Sequence, residues 1–144
     1  MAYIDGTDVD EVLTGTDGGD TINGWGDNSA DTFVFNAAPD AVNNRDTIYG
    51  FEANAKDKVA LDPTLFAALL GGSSSGVDSG EFRASADGNA ADANDYLLYD
   101  SASGSLYYDA DGSGAGAKVL LGNFIGLIGT LDASDFSTQM PPLA

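Results

Sequence analysis

The stretch GTDVDEVLTGTDGGDTINGWG, residues 6–26, decides the fold. Gly6, Gly15 and Gly24 lie nine residues apart, and in the first two repeats an acidic residue occupies the sixth position and an aliphatic residue the eighth. A period of nine is out of phase with an α-helix, which turns once in about 3.6 residues. It fits half a coil of a parallel β-solenoid, in which a turn leads into a very short strand with one inward apolar side chain.

The acid-x-apolar triplet of these repeats recurs further along the chain, with successive acids 9, 11, 15 and 11 residues apart. Two half-coils make one coil, so alternate triplets belong to opposite edges of the predicted roll. Glu11, Asp31 and Asp57 are therefore predicted to stack along one edge, and Asp20 and Asp46 along the other. The triplets are Glu11-Val12-Leu13, Asp20-Thr21-Ile22, Asp31-Thr32-Phe33, Asp46-Thr47-Ile48 and Asp57-Lys58-Val59.

The charge of the chain is strongly one-sided. Its 144 residues include 5 Lys and Arg against 23 Asp and Glu, which gives a formal net charge of −18. Such a polyanion repels nucleic acid phosphates and has cations as its natural partners, while 43% hydrophobic residues supply a core. Because the chain has neither cysteine nor histidine, thiolate and imidazole metal sites are excluded. The oxygen ligands that remain favour hard cations such as calcium.

Stacked carboxylates raise an electrostatic problem at both predicted edges. Adjacent coils lie ~4.8 Å apart, and two carboxylates at about that distance repel by roughly 3–4 kcal/mol at an effective dielectric constant of about 20. A divalent cation between successive turns would reverse the sign, with carbonyls freed by the glycine conformations completing its coordination. The alternative interpretation is that short acidic residues simply favour turns.

Several stretches of the chain resemble a known family. GTDGGDTIN, residues 15–23, resembles the nonapeptide G-G-x-G-x-D-x-U-x of the calcium-binding RTX (repeats-in-toxin) proteins. The resemblance implies an all-β fold, in which a short calcium-filled parallel β-roll is followed by an antiparallel β-sandwich-like cap with one short helix. It also implies export by the type I secretion machinery and calcium-triggered folding outside the cell. We expect two or three calcium ions. The stretches similar to the region after the β-roll of serralysin-like secreted proteins are ADTFVFN (30–36), RDTIYGFEANAKDKVALD (45–62) and NDYLLYDSASGSLYYDADGSGAGAKVLLGNF (94–124).

The predicted calcium ligands are turn and acid residues of the repeats. An additional pair comes from DADGSG at 109–114, which imitates the start of an EF-hand loop. Leu120 stands where an EF-hand has its closing acid, so a plain hairpin loop is the alternative there. The candidate set is Gly6, Asp8, Glu11, Gly15, Asp17, Asp20, Gly24, Gly26, Asp31, Asp46 and Asp57, with Asp109 and Asp111 as the additional pair.

The second half of the chain is predicted to cap the roll. Residues 1–60 form the β-roll, and residues 61–144 form the antiparallel cap and C-terminal tail of one continuous domain. PTLFAALL, 63–70, suits a short helix opened by Pro63, and 71–80 suits an exposed loop that contributes nothing to the core. The predicted strands are EFRAS near 81–85, YLLYD at 96–100, SLYYD at 105–109, AKVLLGNF at 117–124 and a last turn and strand at 131–136.

Catalysis finds little support in the sequence. A zinc protease helix needs two histidines, and the chain has none. The single G-x-S-x-G match, GSSSG at 72–76, lies in a glycine- and serine-rich loop and not at a strand-to-helix turn, so no nucleophile elbow is predicted. The chain also has no apolar run of 18 residues, so no membrane insertion is expected. MAYIDGTD at the start lacks the basic segment and apolar run of a secretory signal, so we expect either a cytoplasmic protein or export by a route that does not read an N-terminal signal. We therefore predict a non-catalytic calcium-binding domain of a secreted, extracellular protein.

A carbohydrate-binding or adhesive module of a polysaccharide-acting enzyme is the alternative function. It would use the same calcium-stiffened scaffold and bind a polysaccharide through exposed aromatic side chains. The competing interpretation is that these aromatic residues pack in the core or cover an open end of the roll. The residues in question are Trp25, Tyr96, Tyr99, Tyr107 and Tyr108.

Overall fold

The chain, in a computed structural model, folds into two β-sheets and has no long helix in its described residues. The predicted all-β class is confirmed. Asp8, Asp17, Trp25 and Gly26, which the sequence singled out, lie outside the described residues. The described residues are 3–7, 9–15, 18–24, 30–35, 46–52, 57–62, 64–66, 69, 77, 79–112, 114 and 118–138.

The first six strands form the predicted parallel roll. Odd-numbered strands pair in one sheet and even-numbered strands in the other, all in parallel. Ile4 pairs with Ile22 and Ile22 with Ile48, so each coil returns to the same sheet. The strands are β1 (Tyr3–Asp5), β2 (Val12–Thr14), β3 (Thr21–Asn23), β4 (Thr32–Phe35), β5 (Asp46–Tyr49) and β6 (Lys58–Leu61).

The apolar residue of every triplet is buried between the two sheets, as predicted. Leu13 is 5% exposed, and the other four are fully buried. Aromatic rings extend this column, since Phe33 contacts Phe51 with ring centroids 5.4 Å apart, and Phe51 contacts Phe124 at 5.3 Å. The alternation of one inward apolar residue with outward polar neighbours is what keeps such short strands in register.

The second half continues both sheets of the roll. β10 pairs in parallel with β5, and β11 pairs in parallel with β6. The antiparallel pairing predicted for the cap is present between β8 and β9 and between β9 and β10, whereas β7 pairs with β8 in parallel. The strand orders are β1-β3-β5-β10-β9-β8-β7 and β11-β6-β4-β2. The strands are β7 (Phe82–Ser85), β8 (Leu97–Asp100), β9 (Ser105–Tyr108), β10 (Val119–Ile125) and β11 (Phe136–Ser137).

A glycine turn closes the β8–β9 hairpin, both of whose strands the sequence predicts. Gly104 has a φ of +79°, which side chains with a Cβ rarely adopt. A Cβ on this residue would also lie 2.6 Å from the carbonyl oxygen of Phe124 in the adjacent strand. The turn therefore needs glycine for two independent reasons.

The segment between β6 and β7 differs in part from the prediction. The short helix predicted over 63–70 lies partly outside the described residues. In the described part, 64–65 form a turn and Leu69 has 3-10 conformation, with Phe66 N–H donating to Asp62 O and Leu69 N–H to Phe66 O. Phe66 and Leu69 are fully buried in the core. The expectation that 71–80 contributes nothing to the core is wrong, because Val77 is buried in it. Val77 is the one large apolar residue in a run of mostly glycine and serine. The composition of such a run predicts an exposed loop even when one of its side chains is buried.

Candidate metal site at the turns of the roll

Acidic residues of the repeats form two columns, one along each edge of the roll. On one edge, the backbone N–H of Glu11 donates to Asp31 Oδ1 at 3.2 Å, and that of Asp31 donates to Asp57 Oδ1 at 2.9 Å. On the other edge, the N–H of Asp20 donates to Asp46 Oδ1 at 2.9 Å. Each of these carboxylates therefore lies against the turn of the preceding coil, and the predicted stacking is confirmed.

The parallel strand ladder fixes this arrangement. Asp46 is the first residue of β5, and each of the other acids directly precedes its strand. The carbonyls of Glu11, Asp20 and Asp31 accept hydrogen bonds from the strand of the next coil. Thr47 N–H donates to Asp20 O at 2.7 Å, and Lys58 N–H donates to Asp31 O at 2.9 Å. The same register that aligns the buried apolar side chains thus aligns the acids one coil apart.

Each repeat glycine leaves room for a carboxylate. A Cβ on Gly15 would lie 2.7 Å from Asp20 Oδ2, and a Cβ on Gly6 would lie 2.8 Å from Glu11 Oε2. At Gly24, the corresponding position is 3.1 Å from Asp31 Oδ2. The first two distances are shorter than real Cβ atoms show, and the third is close to the lower limit. A larger residue at any of the three positions would therefore push the acid away.

This is a different role from the one inferred from the sequence. There, the glycines were expected to free turn carbonyls through conformations open only to glycine. The φ angles of Gly6, Gly15 and Gly24 lie outside the left-handed region that favours glycine. Their hydrogen atom, rather than their backbone freedom, is what the fold uses.

Two carboxylates from consecutive coils meet above Gly15. The Cβ position of this glycine lies 2.7 Å from Asp20 Oδ2 and 3.4 Å from Asp46 Oδ2. Both acids are buried, with 2% of Asp20 and 6% of Asp46 exposed. Two anionic oxygens therefore approach one point from which bulk water is largely excluded.

The buried charge of Asp46 is unfavourable in the described structure. Burial raises the pKa of its carboxyl group from 3.8 to about 6; the N–H that Asp20 donates lowers this pKa, and the Asp20 charge raises it. A cation between the two carboxylates would favour the ionised form and lower the pKa again. The donor set is that of a hard cation, because every side-chain ligand available here is an oxygen.

The described basic side chains are engaged elsewhere. Lys58 directly follows an acid of the column, but its Nζ donates to Ser134 O at 2.9 Å. Arg83 and Lys118 both donate to the loop over residues 86–90. The cationic groups that the structure describes are thus used to hold loops and turns.

The loop at 109–114 has the features of a hairpin loop. Gly112 N–H donates to Asp109 O and Gly114 N–H to Asp111 O, which are tight-turn hydrogen bonds. Asp109 is 6% exposed, and burial together with a side-chain hydrogen bond to Asp111 raises the pKa of its carboxyl group. These two acids approach each other, but no described feature distinguishes an ion site from a loop.

The tyrosines of the hairpin contribute mainly to packing. Tyr99 and Tyr108 are each 7% exposed and belong to the core, where Tyr108 contacts Phe66 edge-on at 4.9 Å. Tyr107 is half-buried and stacks under the Lys118 ammonium at 4.2 Å. The two most exposed tyrosines, Tyr3 and Tyr49, are not among the predicted site residues and lie on the outward face of β1 and β5.

Other buried acids went unrecognised in the sequence. Asp95 accepts N–H groups from Ala91 and Asp92, and Asp135 accepts the N–H of Asp132 in a capping box at the short 3-10 turn Ala133–Asp135. The spacing of Asp132 and Asp135 is the signal that would have predicted this cap. These acids are explained by backbone hydrogen bonding within their own loops.

Within the described residues, no three acidic side chains converge as a self-sufficient metal cluster. An ion above Gly15 would therefore take its remaining ligands from the backbone, water or parts of the turns outside those residues. Comparison of the chain with protein-family models, with curated proteins and with solved structures gives no match. In the described residues, no helix has the length and apolar character needed to cross a bilayer.

Proposed function

We propose that this chain is a non-catalytic calcium-binding domain whose folding is coupled to calcium. The observation that carries the proposal is the approach of Asp20 Oδ2 and Asp46 Oδ2 above Gly15, in a buried position. Like charges placed together away from water are costly unless a cation joins them. Burial and the charge of Asp20 raise the pKa of Asp46, which is the expected consequence of that cost in the metal-free protein.

Calcium fits the donor set better than other metals. Carboxylate and carbonyl oxygens in a flexible turn suit an ion that accepts six to eight oxygen ligands and irregular geometry. Asp20 and Asp46 would supply the charged ligands on one edge, and Asp31 and Asp57 those on the other. The calcium ion would neutralise the stacked acids, while the strands and their buried apolar residues would fix the spacing of the turns.

The proposed role is a switch between two compartments. Where free calcium is about a hundred times the dissociation constant, each site adds ~2.7 kcal/mol to folding, and where calcium is scarce it adds almost nothing. With two or three such sites, the chain would stay loose inside the cell, where calcium is scarce, and would fold after export, where calcium is abundant. Extracellular location and export through a type I system are part of the proposal through the resemblance of the repeats to RTX proteins.

The test is calorimetric titration of calcium into metal-free protein. Asp20→Asn combined with Asp46→Asn keeps the side-chain acceptor oxygens and removes both charges. Asp92→Asn is the matched control, because Asp92 is exposed in the loop before β8. We expect two or three ions per wild-type and control chain and at least one fewer in the double variant. Absence of binding heat in the wild type, or equal stoichiometry in all three proteins, would refute the proposal.

A second candidate function is polysaccharide binding on the outward face of the larger sheet. Tyr3 is 66% exposed and Tyr49 is 39% exposed on that face, and hydroxyl and amide side chains of β3 lie in register between them. Exposed aromatic rings beside hydrogen-bonding side chains suit sugar rings. Tyr3→Ala with Tyr49→Ala should abolish retention on a glycan array, whereas Val12→Ala on the other sheet should not. Lack of retention of the wild type on every glycan would count against this function.

A further inference from the structure

One peptide bond of the repeats carries a chemistry that the calcium proposal does not use. Asn23 is the only asparagine of the chain that is followed by glycine, and the pair lies at the end of β3. Glycine has no side chain to shield its amide nitrogen and allows the backbone conformations that ring closure needs. We propose that Asn23–Gly24 is a deamidation site that the folded roll protects and the unfolded chain exposes.

The reaction needs water and no other partner. The Gly24 nitrogen attacks Asn23 Cγ and loses its proton, a new N–Cγ bond forms, and the Cγ–Nδ2 bond breaks as ammonia leaves. Water then opens the resulting succinimide at either carbonyl. The product is aspartate in the normal linkage or isoaspartate, in which the main chain runs through the former side-chain carbon.

Both nitrogens of this reaction are held in the folded protein. The attacking nitrogen of Gly24 donates to Tyr49 O at 3.0 Å, and the leaving nitrogen, Asn23 Nδ2, donates to Asp5 Oδ1 at 3.1 Å. Asn23 itself lies in a central strand, paired with β1 on one side and β5 on the other. Gly24 is buried, and the ring of Phe33 occupies the space beside its Cα. Ring closure therefore requires local opening of β3 from both neighbours.

The product is poorly accommodated by the roll. Asp5 and Asn23 are direct partners across the β1–β3 ladder, so an aspartate at position 23 would place two carboxylates where one amide donates to one carboxylate. Like charges directly opposite each other in a ladder are unfavourable. Isoaspartate would also lengthen the main chain just before Gly24 and disturb the register of the next turn. A chain that stays unfolded for long would thus lose part of its ability to fold.

The test compares deamidation of the full chain in native buffer that contains calcium and in concentrated urea, at the same mildly alkaline pH. Peptide mass spectrometry follows Asn23, with Asn94 and Asn123 in the same chain as internal references. We expect Asn23 to react before the references in urea and to react about tenfold or more slowly in the folded protein. Equal rates for Asn23 in both conditions, or a reference asparagine reacting before it in urea, would overturn the proposal. Because urea replaces calcium removal, the outcome is independent of the metal proposal.

Two variants test whether an aspartate at position 23 destabilises the folded roll. Asn23→Asp should lower the Tm by roughly 3–8 °C, and Asp5→Asn added to it should recover at least half of the loss, because amide and carboxylate then face each other in exchanged positions. An unchanged Tm for Asn23→Asp, or no recovery in the double variant, would show that the Asp5–Asn23 pair does not penalise the product.

Discussion

The glycine of each repeat and the acid of the same repeat act as one unit. The sequence shows their spacing, and the structure shows that the glycine hydrogen faces the carboxylate of its own repeat. The pairing Gly15–Asp20 is the clearest case, because Asp46 of the next coil reaches the same point. A repeated glycine in a roll of this kind can therefore indicate that a side chain packs against it, and not only that the chain makes a tight turn there.

Replacing Gly15 with alanine tests this pairing. The added Cβ would lie 2.7 Å from Asp20 Oδ2, so the carboxylate must move and the stack must loosen. We expect a loss of about 1–3 kcal/mol in the free energy of unfolding and weaker calcium binding. Gly80→Ala is the control, because its nearest atom is the terminal nitrogen of the Asn94 side chain, at 3.3 Å. Equal urea midpoints and equal calcium affinities for the two variants would contradict the claim that Gly15 and Asp20 act together.

Replacing Asp46 with asparagine separates the cost of its charge from the benefit of a bound cation. Because the folded-state pKa is raised from 3.8 to about 6, the folded protein holds this proton more tightly than the unfolded chain. The metal-free wild type should therefore gain stability from Asp46 as the pH falls from 7 to 4, by about 1–2 kcal/mol after allowance for solvent screening at the turn.

The variant should lack this gain and should be the more stable protein at pH 7 in chelator. In excess calcium the order should reverse, because the variant has lost a charged ligand. Urea unfolding of both proteins at several pH values, with and without calcium, measures the difference between them. A wild type that exceeds the variant at pH 7 in chelator would be inconsistent with a costly buried charge.

Short strands were predictable from the sequence wherever a local pattern repeats. The acid-x-apolar triplets located β2 to β6, and alternation with a glycine turn located the β8–β9 hairpin. The pairing of β10 with β5 and of β11 with β6 was not predicted. The residues of a strand do not indicate which strand, far away in the sequence, it will pair with. Calcium ligation itself stays a prediction: the sequence supplied the acids, and only the geometry showed which two share one point.

Lys118 is one of two basic residues, with Arg83, that hold the loop over residues 86–90 to the larger sheet. Lys118 Nζ donates to Gly88 O at 2.7 Å and to Asn89 Oδ1 at 2.9 Å, and it also lies over the Tyr107 ring. Lys118→Met removes these contacts while keeping most of the apolar stem. We expect a loss of about 1–2 kcal/mol and faster amide hydrogen exchange confined to this loop. Lys118→Arg should retain most of the stability; uniform exchange changes across both sheets would argue against a local clamp.

The two halves of the chain share one hydrophobic core. Core residues come from the roll, such as Ile22 and Phe33, and from the later strands, such as Leu106 and Phe124. β10 is the only strand of the described residues that joins the parallel strands of the larger sheet to its antiparallel part. Stabilising the turns of the roll should therefore stabilise the cap strands as well, and unfolding should be cooperative.

Because the net charge is −18, any dissolved salt should stabilise the fold to some extent by screening repulsion over the whole surface. This general effect can be distinguished from calcium binding at specific sites. Screening by monovalent salt weakens repulsion everywhere, whereas a bound divalent ion acts at fixed turns. At matched ionic strength, we expect saturating calcium to raise the Tm by roughly 10 °C for each site at a hundredfold excess over its Kd. Sodium chloride and magnesium should each give much less. Equal shifts with all three salts would mean that screening alone stabilises the fold.

The most direct measurement of the central claim is anomalous X-ray scattering from crystals grown in calcium. We expect a calcium peak between the Asp20 and Asp46 carboxylates above Gly15, with further peaks along the edge that carries Asp31 and Asp57. Well-ordered carboxylates at Asp20 and Asp46 with no anomalous peak between them, in crystals saturated with calcium, would contradict it.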